Sequence, residues 1–216
     1  MKGKRGSVWI LTGLLLLAAA LCLVMYNGMD SRQAGRKAQA AAAALEETMP
    51  PRVEAVTRQQ AKRDPAAELP DYILNPGMDM PSFEVEGWEY VGIVEIPALE
   101  RKLPVISRWS YEALRVAPAR YQGSVYRDDM ILCAHNYRDH FGPIGSLAPG
   151  DSVTFTDVRG NVFRYEVTEI ETLRPYQTEE LASGQWDLTL FTCDLSAENR
   201  IVVRCRRLEA RTESEK

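Results

Sequence analysis

The chain has 216 residues, 45% of them hydrophobic and 26% charged, with a net charge of -4 at neutral pH. That balance belongs to a globular chain and not a disordered one, and the lack of a basic face or tail speaks against a nucleic-acid partner. The four cysteines, Cys22, Cys133, Cys193 and Cys205, form no CxxC pair, and with only His135 and His140 beside them a zinc site is not expected.

Residues 1–7 are a short tail carrying Lys2, Lys4 and Arg5. Residues 8–26 then run without a charge, and as a helix they would span roughly 28 Å, close to the thickness of a bilayer core. The run is longer than a signal-peptide core, and no small-x-small cleavage site follows. Ala19-Ala20-Leu21-Cys22 resembles a lipoprotein cleavage site, but bulky Leu21 stands where a small residue is wanted. A signal anchor is the better reading and a cleaved signal the alternative. Three basic residues on each flank, with Arg32, Arg36 and Lys37 following, leave only proximity to favour an inside N-terminus. With Cys22 in this segment, three cysteines remain for the folded part, so at least one thiol is expected to be free.

Residues 27–87 read as stalk and linker. The alanine-rich stretch 30–49 predicts a solvated helix, stopped by Pro50-Pro51, and a polar spacer follows to about residue 70. Asn75-Pro76-Gly77 and Pro81 mark loops.

From Trp88 the pattern turns to β. Tyr90–Ile96 predicts a strand closed by Pro97, and Leu103–Ile106 a second, with Pro104 favouring an edge or bulge. Ser110–Val116 suits a short helix capped by Ser110. Asp129–His135 predicts a strand and Gly142–Leu147 a helical turn, followed by strands at Ser152–Asp157 and Val162–Thr172. Leu188–Cys193 and Arg200–Arg204 complete the set, joined by a polar turn through Asp194, Ser196, Glu198 and Asn199. Seven or eight short strands with few helices predict a mainly β fold, a closed or nearly closed barrel over residues 88–208, ahead of a polar tail at 209–216.

The chemistry gathers at strand ends. Cys193 closes one strand, Arg200 opens the next, and His135 ends an apolar strand elsewhere. A thiol beside a fixed charge, with an imidazole to exchange protons, can work as a nucleophile. Each residue also has a plainer role: a strand cap for His135, a core thiol for Cys193, a solvated charge for Arg200. By the strand period of two, Cys133 shares a face with His135, Cys205 lies opposite Arg200, and Arg204 shares Arg200's face. His140 reads as a surface-loop histidine.

Thr189-Leu190-Phe191-Thr192-Cys193 matches the TLxTC signature of the sortases. Arg200, in Asn199-Arg200-Ile201-Val202-Val203-Arg204, matches the arginine that opens their last strand, and Ala134-His135-Asn136 resembles the segment with their catalytic histidine. Val94-Glu95-Ile96-Pro97 and Leu103-Pro104-Val105 are also similar to sortase sequence, so the resemblance covers about residues 88–208. It implies an eight-stranded sortase barrel, membrane-anchored and outside the cell, acting as a transpeptidase of the kind found mostly in Gram-positive bacteria. Cys193 would attack the threonine carbonyl of an LPxTG-like sorting signal borne by a secreted protein. His135, as imidazolium, would protonate the departing amine and then accept a proton from the incoming cell-wall amine. Arg200 would donate hydrogen bonds to the oxyanion or substrate backbone. Thr192 and Asn136, next to these residues, are candidate substrate contacts.

No cofactor is expected. Asp128, Asp129, Glu179 and Glu180 could bind calcium, as loop acids do in some sortases, but without ligand spacing they read as solvated surface. Asp64-Pro65-Ala66 lacks the aromatic of a pilus-type lid, the chain ends without a second apolar span, and Thr172–Trp186 is short for a class B helix. These features favour a housekeeping or class D-like enzyme. The alternatives to a transpeptidase are a membrane-tethered peptide-binding module that has lost catalysis, and a hydrolase of the same fold.

Overall fold

The computed structural model describes residues 3–63, 69–183, 185–194 and 196–208. In chain order these form α1 (Gly3–Thr48), β1 (Val53–Glu54), α2 (Arg58–Arg63), α3 (Asp71–Leu74), β2 (Phe83–Val85), β3 (Trp88–Ile96), β4 (Arg101–Ile106), α4 (Tyr111–Leu114), β5 (Ala119–Gln122), β6 (Met130–Cys133), β7 (Ser152–Asp157), β8 (Asn161–Leu173), α5 (Thr178–Leu181), β9 (Leu188–Cys193) and β10 (Arg200–Arg207). Eight strands close on themselves in the order β3, β4, β5, β6, β9, β10, β8, β7 and back to β3. The barrel is closed and mainly β, as the strand count predicts. β1 and β2 extend it, β1 parallel to β8 and β2 antiparallel to β3.

Its strands form where β-branched and aromatic residues alternate or run together, because such side chains pack well on a pleated surface. Val94, Ile96, Val153, Phe155, Phe163, Tyr165, Leu190 and Val203 are fully buried inside. Each side chain of this kind contributes about 1.5–3 kcal/mol relative to exposure. Gly92 sits at a β3 bulge where a Cβ would come within 2.2 Å of the Thr156 carbonyl oxygen, so no larger residue fits. Pro104 pairs with Ile93 of β3, and on the other side β4 meets β5 only at Ile106, so Pro104 has a ladder on one side alone, the edge-like setting in which proline is tolerated. Ser110 caps α4, its hydroxyl accepting from the Ala113 amide at 3.1 Å.

The N-terminal third departs from the reading of a solvated stalk. α1 is one helix of 46 residues, roughly 69 Å long. Its apolar run 8–26 is exposed throughout, long and apolar enough to cross a membrane. Past that run, Ala34, Ala38, Ala41, Ala42 and Leu45 bury one face against the barrel. Gly35 marks the closest approach: a Cβ there would lie 2.7 Å from Asp139 Cβ. The segment beyond Pro50-Pro51 is also folded. Tyr72 stacks on Tyr126 at 5.1 Å and accepts from the Val56 amide at 2.9 Å. Tyr126 in turn donates to the buried Asp157 carboxylate at 2.8 Å. The barrel assembly therefore begins before Trp88. The Asp64-Pro65-Ala66 segment and the 209–216 tail lie outside the described residues.

Candidate active site

Three adjacent strands set the site. β6 runs parallel to β9 with Leu132 opposite Leu190 and Cys133 opposite Phe191. Carried two residues further, that register puts His135 at the level of Cys193. β9 runs antiparallel to β10 with Arg200 opposite Cys193. The side-chain period of two then places His135, Cys193 and Arg200 on one face, at one end of three neighbouring strands.

Two bonds hold the His135 segment in that register. The Thr192 hydroxyl, buried, donates to the Ala134 carbonyl at 2.9 Å, and the Asn136 side-chain amide donates to the Asp194 carbonyl at 3.1 Å. Thr192 and Asn136, expected as substrate contacts, thus tie the two strand ends together. For Thr192 the reason is the pleat: it points away from the Cys193 face.

The turn from Cys193 to Arg200 is organised by Asp194, which the sequence shows only as a polar turn residue. Its carboxylate accepts from Asn199 and Ser196, both at 2.8 Å, and these bonds hold it below the usual carboxylate range. Cys193 is exposed. Arg200 lies over the Phe191 ring at 5.3 Å, and Phe191 meets Tyr121 edge-on at 5.3 Å. One guanidinium nitrogen of Arg200, Nη1, is buried and has no hydrogen-bond partner among the described residues. A fixed N–H with no acceptor is a place prepared for one.

His135 is half-buried. Burial lowers its proton affinity, Arg115 adds to the lowering, and Asp30 opposes it. The neutral imidazole is therefore favoured near neutral pH. Cys133, on the same face, is buried, and burial pushes its thiol up to about 12, so it packs and does not react. Cys205 is buried as well, its thiol likewise raised by burial to about 12.

Arg204 is fully engaged inside the fold. Its Nε donates to Glu171 at 2.7 Å, Nη1 to the Leu181 carbonyl at 2.9 Å and Thr189 hydroxyl at 3.1 Å, and Nη2 to the Glu180 carbonyl at 2.7 Å. His140 corrects a reading: it is not a surface histidine but fully buried, beneath α1 and beside Tyr137. Burial lowers it to about 4. The Ala34 carbonyl works the other way, although neither ring nitrogen makes a hydrogen bond of good geometry among the described residues. Asp128 pairs with Arg207 at 2.7 Å and Asp129 with Arg127 at 3.1 Å, so both carboxylates are taken. Among the described residues no group of three His, Cys, Asp or Glu could hold a metal ion.

A family model described as a sortase domain matches residues 94–208. Among solved structures, the chain is similar to a sortase C from Clostridium perfringens with the C-terminal cell wall sorting motif. The identity is 25%, covering 71% of this chain and 86% of that one, with a TM-score of 0.51. Sortase C1 from Streptococcus agalactiae matches at 24% identity over 59% of this chain and 72% of its own, with a TM-score of 0.52. A lid mutant of sortase A from Corynebacterium diphtheriae matches at 20% over 58% and 73%, with a TM-score of 0.51; these two likenesses concern the fold. No curated protein matches.

Proposed function

Since the chain belongs to the sortase family, we propose that it is a cysteine transpeptidase acting on an LPxTG-like sorting signal, with Cys193, His135 and Arg200 as its catalytic residues. The observation that carries this reading is the common level that the strand register gives Cys193, Arg200 and, two residues past β6, His135, with one buried Arg200 nitrogen lacking an acceptor among the described residues. The threonine carbonyl of the signal sits against Cys193, its oxygen toward Arg200. As sulfur attacks, neutral His135 takes the thiol proton, and the developing oxyanion is held by the guanidinium. The imidazolium then gives that proton to the departing glycine amine, leaving a thioester on Cys193. An incoming amine of the cell wall loses a proton to His135, displaces sulfur, and the thiol is restored. Thr192 and Asn136 serve by keeping the two strand ends in register. The sorting motif named for the Clostridium perfringens structure supports a peptide of this class as the first substrate.

In the same reading α1 anchors the chain through residues 8–26, and the barrel lies outside the cell, within reach of secreted clients and wall precursors. Cys193→Ala tests the chemistry directly: thioester formation and transfer to an amine should both vanish. Transfer that persists in this variant would overturn the assignment, and peptide binding without cleavage by the intact chain would favour a binding module.

A further inference from the structure

We infer that Asp30, on the helix that carries the apolar run, is a positioning residue for His135, acting through Tyr137. This rests on the reading of His135 as the proton-transfer group of the site. Asp30 follows the end of the apolar run at Tyr26 by about one helical turn. Its carboxylate accepts from the Tyr137 hydroxyl at 2.7 Å. The Tyr137 ring lies 5.1 Å from that of His135 and 5.4 Å from that of buried His140.

The loop holding these rings has little freedom to rearrange. The Tyr137 carbonyl accepts from the amides of His140 at 3.0 Å and Gly142 at 2.9 Å. The Arg138 carbonyl accepts from Arg101 at 3.0 Å, and Asp139 meets α1 where Gly35 leaves no room for a side chain. A ring packed against an imidazole limits its rotation, and a hydroxyl bonded to a helix limits the ring. The groups that meet or act on His135 are Asp30 from α1, Arg115 after α4, and Tyr137 and His140 from its own loop, with Cys193 and Arg200 at its level by the strand register. Of the two ionised groups that act on the imidazole, Arg115 and Asp30, the carboxylate alone favours the imidazolium. The anchoring helix thus reaches into the chemistry, and the histidine is fully placed only with that helix docked.

The test uses the full chain in detergent micelles, with an LPxTG-containing peptide as probe. Asp30→Asn should move the acid limb of the thioester-formation rate to lower pH. The His135 titration, read by NMR from its ring carbon, should move in the same direction. Asp30→Glu, which keeps the charge, should move both back toward the original. Tyr137→Phe should lower kcat by about threefold and Tyr137→Ala by about tenfold, each with KM little changed. Thermal unfolding measured beside these rates separates loss of fold from loss of positioning. A His135 titration and an acid limb that stay in place, or rise, in Asp30→Asn would overturn the inference. If His135→Gln instead retained acyl transfer, the role given to His135 would fall, while the titration would still report whether Asp30 acts on the ring.

Discussion

Arg200 and Arg204 lie four residues apart on β10 and begin from the same chemistry, yet their surroundings differ in kind. Arg204 is 1% exposed and makes four hydrogen bonds to a carboxylate, two carbonyls and a hydroxyl. Arg200 is half-buried, rests on the Phe191 ring and keeps one buried nitrogen without an acceptor among the described residues. A buried guanidinium bonded through all three of its nitrogens holds structure together, here fastening the α5 segment to the sheet. One with a donor left over is free to recognise something that arrives. Burial already differs between the two, and the hydrogen-bond inventory says which of them has a nitrogen to spare.

The sharpest way to break this contrast is to remove each side chain and compare rate with stability. Arg200→Ala should slow single-turnover thioester formation by about 10²–10³-fold, the usual loss for an oxyanion donor, with little change in thermal midpoint. Arg200→Lys should recover little, because an ammonium cannot present a planar fork. Arg204→Ala should do the reverse. It leaves the Glu180 and Leu181 carbonyls and the Thr189 hydroxyl without their donor, at a cost of about 3 kcal/mol. For a chain of this size that lowers the midpoint by roughly 6–12 °C, measurable by calorimetry. If Arg204→Ala slowed thioester formation in the folded fraction and Arg200→Ala did not, the two roles would have to be exchanged.

His140 extends the contrast to a buried group for which desolvation outweighs the help that the Ala34 carbonyl and Asp139 give its charged form. Its proton affinity is lowered by burial from 6.5 to about 4, so the unfolded chain takes up the proton first. Stability from keeping it neutral is complete above about pH 6.5, falls as the pH drops, and is lost by about pH 4. The total is about 3 kcal/mol. Replacing His140 with Leu should flatten the acid side of the stability profile between those values, read by denaturant unfolding at a series of pH. An unchanged slope would mean that the acid sensitivity resides in other groups.

The barrel is legible in the sequence where local chemistry and long-range packing agree. Leu188–Cys193 stands out as a run of β-branched and aromatic residues, buried as far as Thr192, and the Ser110 cap follows from a hydroxyl beside amides that need an acceptor. Other features depend on a partner that the local sequence does not reveal. The alanines of α1 look solvated because alanine carries little hydrophobic signal; only the barrel wall beside Gly35 makes them a buried face. β1, β2 and β5 have two to four residues each, too few for a period to register, and exist through their pairings. His140 sits between Asp139 and Phe141, a context that reads as loop, and becomes core because α1 covers it. Of the candidate site, Cys193, His135 and Arg200 are legible through a signature; Asp194 bonds within its own turn to Ser196 and Asn199, while Tyr137 and Asp30 meet only because distant segments pack together, which no local pattern encodes.

The smallest effect bears on what holds Arg204. Its ion pair with Glu171 is short at 2.7 Å, but the Glu171 side chain is 31% exposed and can be hydrated when alone. Glu171→Gln keeps a hydrogen-bond acceptor for Nε and removes only the charge. If the carbonyls of Glu180 and Leu181 are what fix the guanidinium, this change should cost about 0.5–1 kcal/mol, and part of that should disappear at high salt. A loss above about 2 kcal/mol, insensitive to salt, would mean that Arg204 is held chiefly by charge. The hydrogen-bond inventory would then no longer suffice to tell the two arginines apart, and the electrostatic surroundings of Arg200 would need the same scrutiny as its unpaired nitrogen.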